Sequence, residues 1–207
     1  MDQGTSKPRL PRTEDVSPVI EAVRYTLLEL VRGADIHIFT PYMVRLIGSR
    51  GSPWTELRRA YLCADIACRV IAPDALRLVA LESAACQLEA LTPIRVSEDA
   101  TEAGLAAYTA SGAAINTFAP HAVVVMNAVS EAARAAFAAA CITKDPPARH
   151  RRKGAWIQKA ASAGAGATAT AVWTAEASLH RGTDKYRTIL SGYVAYLMER
   201  LHAVEDS

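Results

Sequence analysis

Residues 97–141 read SEDATEAGLAAYTASGAAINTFAPHAVVVMNAVSEAARAAFAAAC, and this alanine-dominated stretch decides the fold class. It opens with Ser97, Glu98 and Asp99, and acidic side chains in a first turn interact favourably with the helix dipole. Pro120 interrupts the run, because a proline inside a helix removes a backbone hydrogen bond. The stretch therefore predicts two consecutive helices, the second ending near Cys141.

Pairs of an oxygen-bearing residue and a proline mark candidate helix starts elsewhere in the chain. A Ser, Thr or Asp side chain caps the free N–H groups of a first turn, and a proline directly after it loses no hydrogen bond. Such pairs lie at 17–18, 40–41, 52–53, 92–93 and 145–146.

Helical spacing of apolar residues extends this pattern over most of the chain. It predicts helices over 18–32, over 41–47, after Pro73 to about Leu88, from about Ala155, and over 184–204. Residues 53–70 are apolar nearly all round, so we expect a central helix there. Residues 35–39 alternate like a strand, but a lone strand has no partner, and we interpret them as a linker.

The composition is that of a globular protein. The chain has 207 residues, 51% hydrophobic and 21% charged, with a net charge of +2. Disordered, collagen-like and disulfide-scaffold classes are excluded. Alanine makes up about one residue in five, and its small side chain lets helix axes approach closely. We expect an all-α, Ala-rich bundle of about seven to nine short helices over 17–207, behind a disordered N-terminal arm over 1–16.

The four cysteines and the termini indicate a reducing compartment. No signal-peptide pattern is present, and no apolar run approaches the ~20 residues of a membrane span. Cys63 and Cys68 lie five positions apart on different helix faces, whereas closed zinc sites prefer tighter spacing. We expect a cytoplasmic protein, in a cell or an infected host, with no membrane contact, no metal and no cofactor.

The segment 144–159 is the most basic part of the chain. Flexible cations contact phosphates, and an adjacent aromatic ring can stack on a base. DNA or RNA binding is therefore one hypothesis, and a solvated loop or a basic helix end is the other interpretation. The candidate residues for nucleic-acid binding are Arg149, His150, Arg151, Arg152, Lys153, Trp156 and Lys159.

Asp65 and Arg69 lie one turn apart within the apolar helix, a spacing at which a carboxylate and a guanidinium can pair. With Tyr61 they define a candidate pocket, in which Asp65 would act as a perturbed acid of a small enzyme. An internal ion pair that orients helices is the alternative, and Glu56, Arg58 and Arg59 offer other partners.

Three tyrosines lie along the last predicted helix, namely Tyr186, Tyr193 and Tyr196. Tyr and Trp dominate the energetic hot spots of protein interfaces, so these residues are candidates for protein binding. A role in the core of the bundle is the competing interpretation.

The stretch from Trp54 to Cys141 resembles Ala-rich all-helical proteins of bacteria and phages, some of which are immunity proteins that bind and neutralise a toxin. A Trp-led helix followed by short Ala-rich helices carries this resemblance, which supplies no site residue. It implies a protein partner. We therefore expect a non-enzymatic module of the inhibitor, immunity or adaptor type, which occupies a partner protein's surface, with homo-oligomers as a further outcome.

Overall fold

The computed structural model describes residues 15–30, 40–142, 150–179 and 183–204. Within these ranges the chain forms an all-α bundle without strands, as predicted, and eight of its helices have six residues or more. The expected linker at 35–39 and the helix start at 145–146 lie outside the described residues.

Nine helical segments follow one another along the described chain. They are α1 (Pro18–Leu30), α2 (Thr40–Met43), α3 (Pro53–Ile66), α4 (Ala72–Arg77), α5 (Glu82–Glu89), α6 (Ser97–Ile115), α7 (Ala122–Ile142), α8 (His150–Leu179) and α9 (Thr183–His202). A 3-10 turn, Val44–Leu46, follows α2, and a π-helical turn, Ala67–Ile71, joins α3 to α4.

Serine caps begin two of these helices where the sequence predicts them. The Ser52 hydroxyl accepts a hydrogen bond from the Thr55 N–H at 3.2 Å, directly before Pro53. Ser17 does the same for Ile20 at the start of α1. Such caps stabilise a helix by ~1 kcal/mol. The expected start at 92–93 is wrong, because α6 begins at Ser97, where the Asp99 carboxylate accepts from the backbone N–H groups of Arg95 and Val96.

Helix α7 lies at the centre of the bundle, between α6 and α8. Its buried side chains are mostly alanines, which let these neighbours approach closely. At Gly104 of α6, an added Cβ would lie 2.7 Å from the ring of Phe137 on α7. The alanines of α7 and Gly104 of α6 therefore allow the two helices to pack closely.

The same helix corrects the expectation about membrane-spanning length. By length and composition Ala122–Ile142 is apolar enough to cross a membrane, with a mean hydropathy of 1.3 over its best window, and 56% of that window is buried inside the bundle. The buried side chains of this helix pack against α6 and α8.

Helix α3 continues into α4 instead of stopping before Pro73. Proline has no N–H, and its ring displaces the carbonyl four residues earlier. The π turn before it absorbs this change, with the Ala72 N–H donating to the Ala67 carbonyl oxygen. Because α3 packs against α1, α7, α8 and α9, its predicted central position is confirmed.

The single helix expected from Pro73 to Leu88 is wrong, because the chain divides it into α4 and α5. Ala80 adopts a left-handed φ of 60°. The Ala80 N–H donates to Arg77, and the Leu81 N–H donates back to Leu76, each at 3.1 Å. These two bonds form a Schellman motif, which ends α4. The break also changes the register of the helix that follows, and Ala80, Ser83 and Gln87 are exposed.

Candidate functional site

Large apolar side chains are exposed on the α6–α7 hairpin, from the middle of α6 to the end where the two helices join. We call this set the hairpin-end surface, and its members are Leu105, Tyr108, Ile115, Phe118 and Val123. Leu105, Tyr108 and Ile115 share one face of α6 at helical spacing. The opposite face of α6 is buried through Ala103, Ala107 and Ala114, so α7 covers one side of the helix and leaves the other open.

Phe118 is the most exposed large hydrophobic residue of the described chain, with 97% of its surface in contact with solvent. Its backbone has a φ of 52°, a left-handed conformation that is uncommon for an aromatic residue. The neighbouring turn is fixed by local bonds, since Thr117 donates through its N–H and its hydroxyl to Ala114. The Phe118 side chain therefore extends from a hydrogen-bonded turn and is almost fully exposed to solvent.

The hairpin end carries no formal charge from Lys, Arg, Asp or Glu. None of these residues occurs from Ala103 to Ser130, and the nearest ones are Glu102 and Glu131. The exposed polar groups of the end belong to residues such as Thr109, Asn116 and Asn127. A surface of this kind offers apolar contact and neutral hydrogen bonds, and it offers no ion pair to a polyanion.

The candidate pocket around Asp65 is a groove of about 700 Å³ beside α3. Asp65 lines it and pairs with Arg69, at 3.2 Å. The same carboxylate accepts the Ile94 N–H at 2.9 Å. Tyr61 lines the groove and is almost completely buried. Through the Ile94 N–H, Asp65 thus ties α3 to the loop before α6.

Two residues of the basic segment lie in a second groove, also of about 700 Å³, between α7 and α8. Trp156 lines it beside Phe137, and the Lys159 ammonium lies 4.3 Å from the centre of the Trp156 ring. Arg149 lies outside the described residues. His150, Arg151, Arg152 and Lys153 form the first turn of α8, and nothing further is described of their side chains. The Trp156 ring, the one aromatic ring of this segment, therefore already makes a cation–π contact with Lys159 of the same segment.

The tyrosines of α9 are only partly brought together. Tyr193 and Tyr196 line a shallow pocket of about 380 Å³ with Val70 and Ile189. The Tyr193 hydroxyl donates to Asp74 at 2.7 Å, and burial, followed by this carboxylate, raises its pKa. The Tyr196 ring lies against the Arg200 guanidinium. The side chain of Tyr186 lies outside the described residues.

The cysteines differ in their surroundings. Cys63 and Cys68 are buried, and burial raises the pKa of each thiol to about 12. Cys86 is exposed. Among the residues that the structure describes, no three His, Cys, Asp or Glu side chains are grouped as metal ligands would be.

Sequence reasoning missed the hairpin-end surface. The charge-free run from Ala103 to Ser130 is visible in the sequence and was the signal for it. The exposure of Tyr108 and Phe118 is not visible there, because it depends on which face of α6 the bundle leaves uncovered.

Comparisons with known proteins identify no relative of this chain. No protein-family model matches the chain, and no match was found among the curated proteins or the solved structures.

Proposed function

We propose that this protein is a non-enzymatic binding module, of the inhibitor, immunity or adaptor type, whose hairpin-end surface occupies the surface of a partner protein. The observation that carries the proposal is the exposure of five large apolar residues on the charge-free part of the α6–α7 hairpin, residues 103–130. Contiguous exposed apolar surface is typical of protein interaction sites.

The chemistry of the hairpin end favours a protein over a nucleic acid. Nucleic-acid binding draws much of its affinity from Lys and Arg contacts to phosphates, and the hairpin end has neither residue. Protein interfaces instead have cores that are poor in charge and rich in aromatic side chains. Tyr108 and Phe118 supply two such side chains, with 67% and 97% of their surfaces exposed.

Rigidity of the surface also supports a binding role. The hydrogen bonds of the 116–122 turn fix the backbone that carries Phe118, so association would lose little backbone entropy there. The left-handed φ of Phe118 is retained although the ring makes little contact within the chain. An aromatic side chain presented to solvent on such a turn is suited to fill a pocket on another protein.

The test is capture of the partner from native lysate, with nuclease-treated and untreated halves. A hairpin variant combines Leu105→Ser, Tyr108→Ser and Phe118→Ser. A matched control variant combines Tyr25→Ser and Ile47→Ser, two apolar residues of similar exposure outside the hairpin. Circular dichroism and thermal unfolding establish that both variants fold. Purified partner is then titrated against all three proteins.

We expect to capture one protein at fixed stoichiometry, with or without nuclease treatment. That protein should bind the control variant with the affinity that it has for the original protein, and it should not bind the hairpin variant. Equal capture by the hairpin variant contradicts the proposal. Capture that disappears with nuclease would contradict it too, and would favour the segment 144–159. Analytical ultracentrifugation of the protein alone tests whether the partner is a second copy of the chain. Binding to lipid vesicles in the absence of any protein partner would contradict the proposal and would indicate a membrane-binding surface.

A further inference from the structure

The groove between α7 and α8, which Thr26 of α1 also borders, has a largely apolar lining. We call it the α7–α8 groove. Its volume of about 700 Å³ lies within the ~300–1,000 Å³ of typical small-molecule sites. The apolar and small residues among its described lining are Phe137, Ala138 and Cys141 on α7, and Trp156, Ala163 and Gly166 on α8.

Small residues create this space on both helices. Ala138 is buried, and Ala163 is half-buried. Gly166 has no side chain, and a Cβ placed there would lie 3.6 Å from Oε2 of Glu131, which is an ordinary contact distance. The groove therefore exists because short side chains stand where longer ones would fill it.

Two aromatic rings give the groove its largest apolar contact surface. Phe137 and Trp156 are half-buried and pack against the hydrophobic core, and both line the groove. The uncovered part of each ring is in contact with water. Transfer of such apolar surface from water to an apolar environment is favourable, so a hydrocarbon in the groove would be stabilised by these two rings.

The charged side chains of the lining contact other groups of the same lining. Glu131 forms an ion pair with Arg134 on α7. The Lys159 ammonium lies 4.3 Å from the centre of the Trp156 ring. Arg134 and Lys159 are both exposed, so their charges lie at the rim. The apolar lining, and not a balance of charges, therefore selects the ligand.

The groove is elongated along the helices. On α7 its lining extends from Glu131 to Cys141, which is about 15 Å at the rise of an α-helix. On α8 it extends from Trp156 to Thr170, which is about 21 Å. A long and thin molecule matches this shape better than a compact one.

We propose that the α7–α8 groove binds an elongated hydrocarbon chain, of the kind that a fatty alcohol or a fatty acid carries. The chain covers Ala163 and contacts the rings of Phe137 and Trp156. The alcohol and the acid share the hydrocarbon and differ in their end group, which the experiment distinguishes. The groove shares no described residue with the hairpin-end surface, and the inference does not depend on the proposed function.

The experiment measures binding of decanol to the full chain by calorimetry, below the solubility limit of the alcohol. Ala163→Leu fills the groove. Ala155→Leu is the matched control, because it is the same substitution on the same helix at an exposed position outside the described lining. The hairpin variant reports on the other apolar surface. Circular dichroism and thermal unfolding establish that all three variants fold.

We expect the original protein, Ala155→Leu and the hairpin variant to bind decanol with the same affinity. Ala163→Leu should bind it at least about tenfold more weakly, because the leucine displaces two or more methylenes of the ligand, each of which contributes about fourfold. Absence of binding to the original protein overturns the proposal. Equal affinities of Ala163→Leu and Ala155→Leu overturn it, and so does a loss confined to the hairpin variant.

Chain length and end group are varied next. Affinity should rise about two- to fourfold with each methylene from hexanol to decanol, because the elongated groove buries each added group. A plateau beyond hexanol would overturn the elongated site. Decanoate is compared with decanol in the same titrations. Tighter binding of either one supports the hydrocarbon assignment and identifies the end group.

Cys141 locates the ligand in the original protein without any substitution. It is a half-buried free thiol that lines the groove, whereas Cys86 is exposed and lies on α5. Decanol at about nine times its Kd should slow the reaction of Cys141 with iodoacetamide about tenfold, since about one tenth of the protein stays free. Cys86 should react as before. An unchanged rate at Cys141 overturns the proposal. A Cys141 that fails to react even without decanol would mean that the groove is closed, and overturns it too.

Discussion

The Nε atom of Arg59 donates to the carbonyl oxygen of Leu201 at 3.0 Å, although the two residues are 142 positions apart. This bond ties the middle of α3 to the end of α9. The Leu201 carbonyl belongs to the last turn of α9, whose carbonyl groups have no partner within their own helix. A buried guanidinium therefore completes the end of the last helix and joins it to the core.

Replacing this arginine by an apolar residue should destabilise the protein strongly. In Arg59→Met the Glu56 carboxylate stays buried without its cation, and we expect a loss of ~3 kcal/mol or more in the free energy of unfolding. Urea unfolding followed by circular dichroism measures it. The control is Arg134→Met, which removes an exposed ion pair with Glu131 and should cost less than ~1 kcal/mol. Similar losses in the two variants would contradict a structural role of the buried pair.

The left-handed residue at the end of α4 offers a stabilising substitution. Glycine adopts a positive φ without the steric cost that alanine has, so Ala80→Gly should raise the free energy of unfolding by ~0.5–1 kcal/mol. Ala113→Gly, at an exposed position in the last turn of α6, should lower it by up to ~1 kcal/mol. Opposite signs in the two urea curves are the expected result. A loss of stability in Ala80→Gly would mean that the α4–α5 break is not built as described.

Two helical glycines should respond to alanine in opposite ways. An added Cβ at Gly164 of α8 would lie 3.0 Å from the backbone oxygen of Cys63 on α3, and a backbone atom does not move aside cheaply. We expect Gly164→Ala to cost ~1–3 kcal/mol. Gly192 of α9 has open space around it, so Gly192→Ala should stabilise by ~0.5–1 kcal/mol. Thermal unfolding of both variants decides this, and a neutral Gly164→Ala would refute the close α3–α8 contact.

The thiols should react in a fixed order. At about pH 8 the buried Cys63 and Cys68 remain protonated, because their pKa is raised to about 12, and only a thiolate is alkylated readily. Iodoacetamide should therefore modify the exposed Cys86 in the folded protein, and should reach Cys63 and Cys68 only after unfolding. Mass spectrometry of the digested protein measures how fast each cysteine-containing peptide is modified. Rapid modification of Cys68 in the native state would contradict its burial.

The same two thiols should make stability depend on pH in the alkaline range. In the unfolded chain a thiol ionises near its ordinary pKa of about 9, whereas in the fold it stays protonated to about pH 12. The folded state then binds more protons, so stability decreases as the pH rises from about 9 towards 12. The variant Cys63→Ala/Cys68→Ala should lose less stability over that range. Equal slopes of the unfolding free energy against pH would exclude the effect.

The sequence by itself determined the elements that local chemistry defines. Serine caps and the apolar periodicity of Val19, Val23 and Leu27 are enough to begin α1 and to choose its buried face. Acidic residues and Pro120 likewise bound α6 and α7. These signals act within one or two helical turns, so they can be read without knowing the fold.

Only the tertiary structure decided where distant residues meet. The division of α4 from α5 depends on hydrogen bonds around Ala80, which has a left-handed φ. Alanine rarely adopts this conformation, so the residue type does not predict the break. Thr26, Phe137 and Trp156 line one groove although they belong to three helices, and the open face of α6 exists because α7 covers only the other side. Long-range packing selects these arrangements among many that satisfy the same local preferences, and for that reason the sequence predicted the bundle but neither of its proposed binding surfaces.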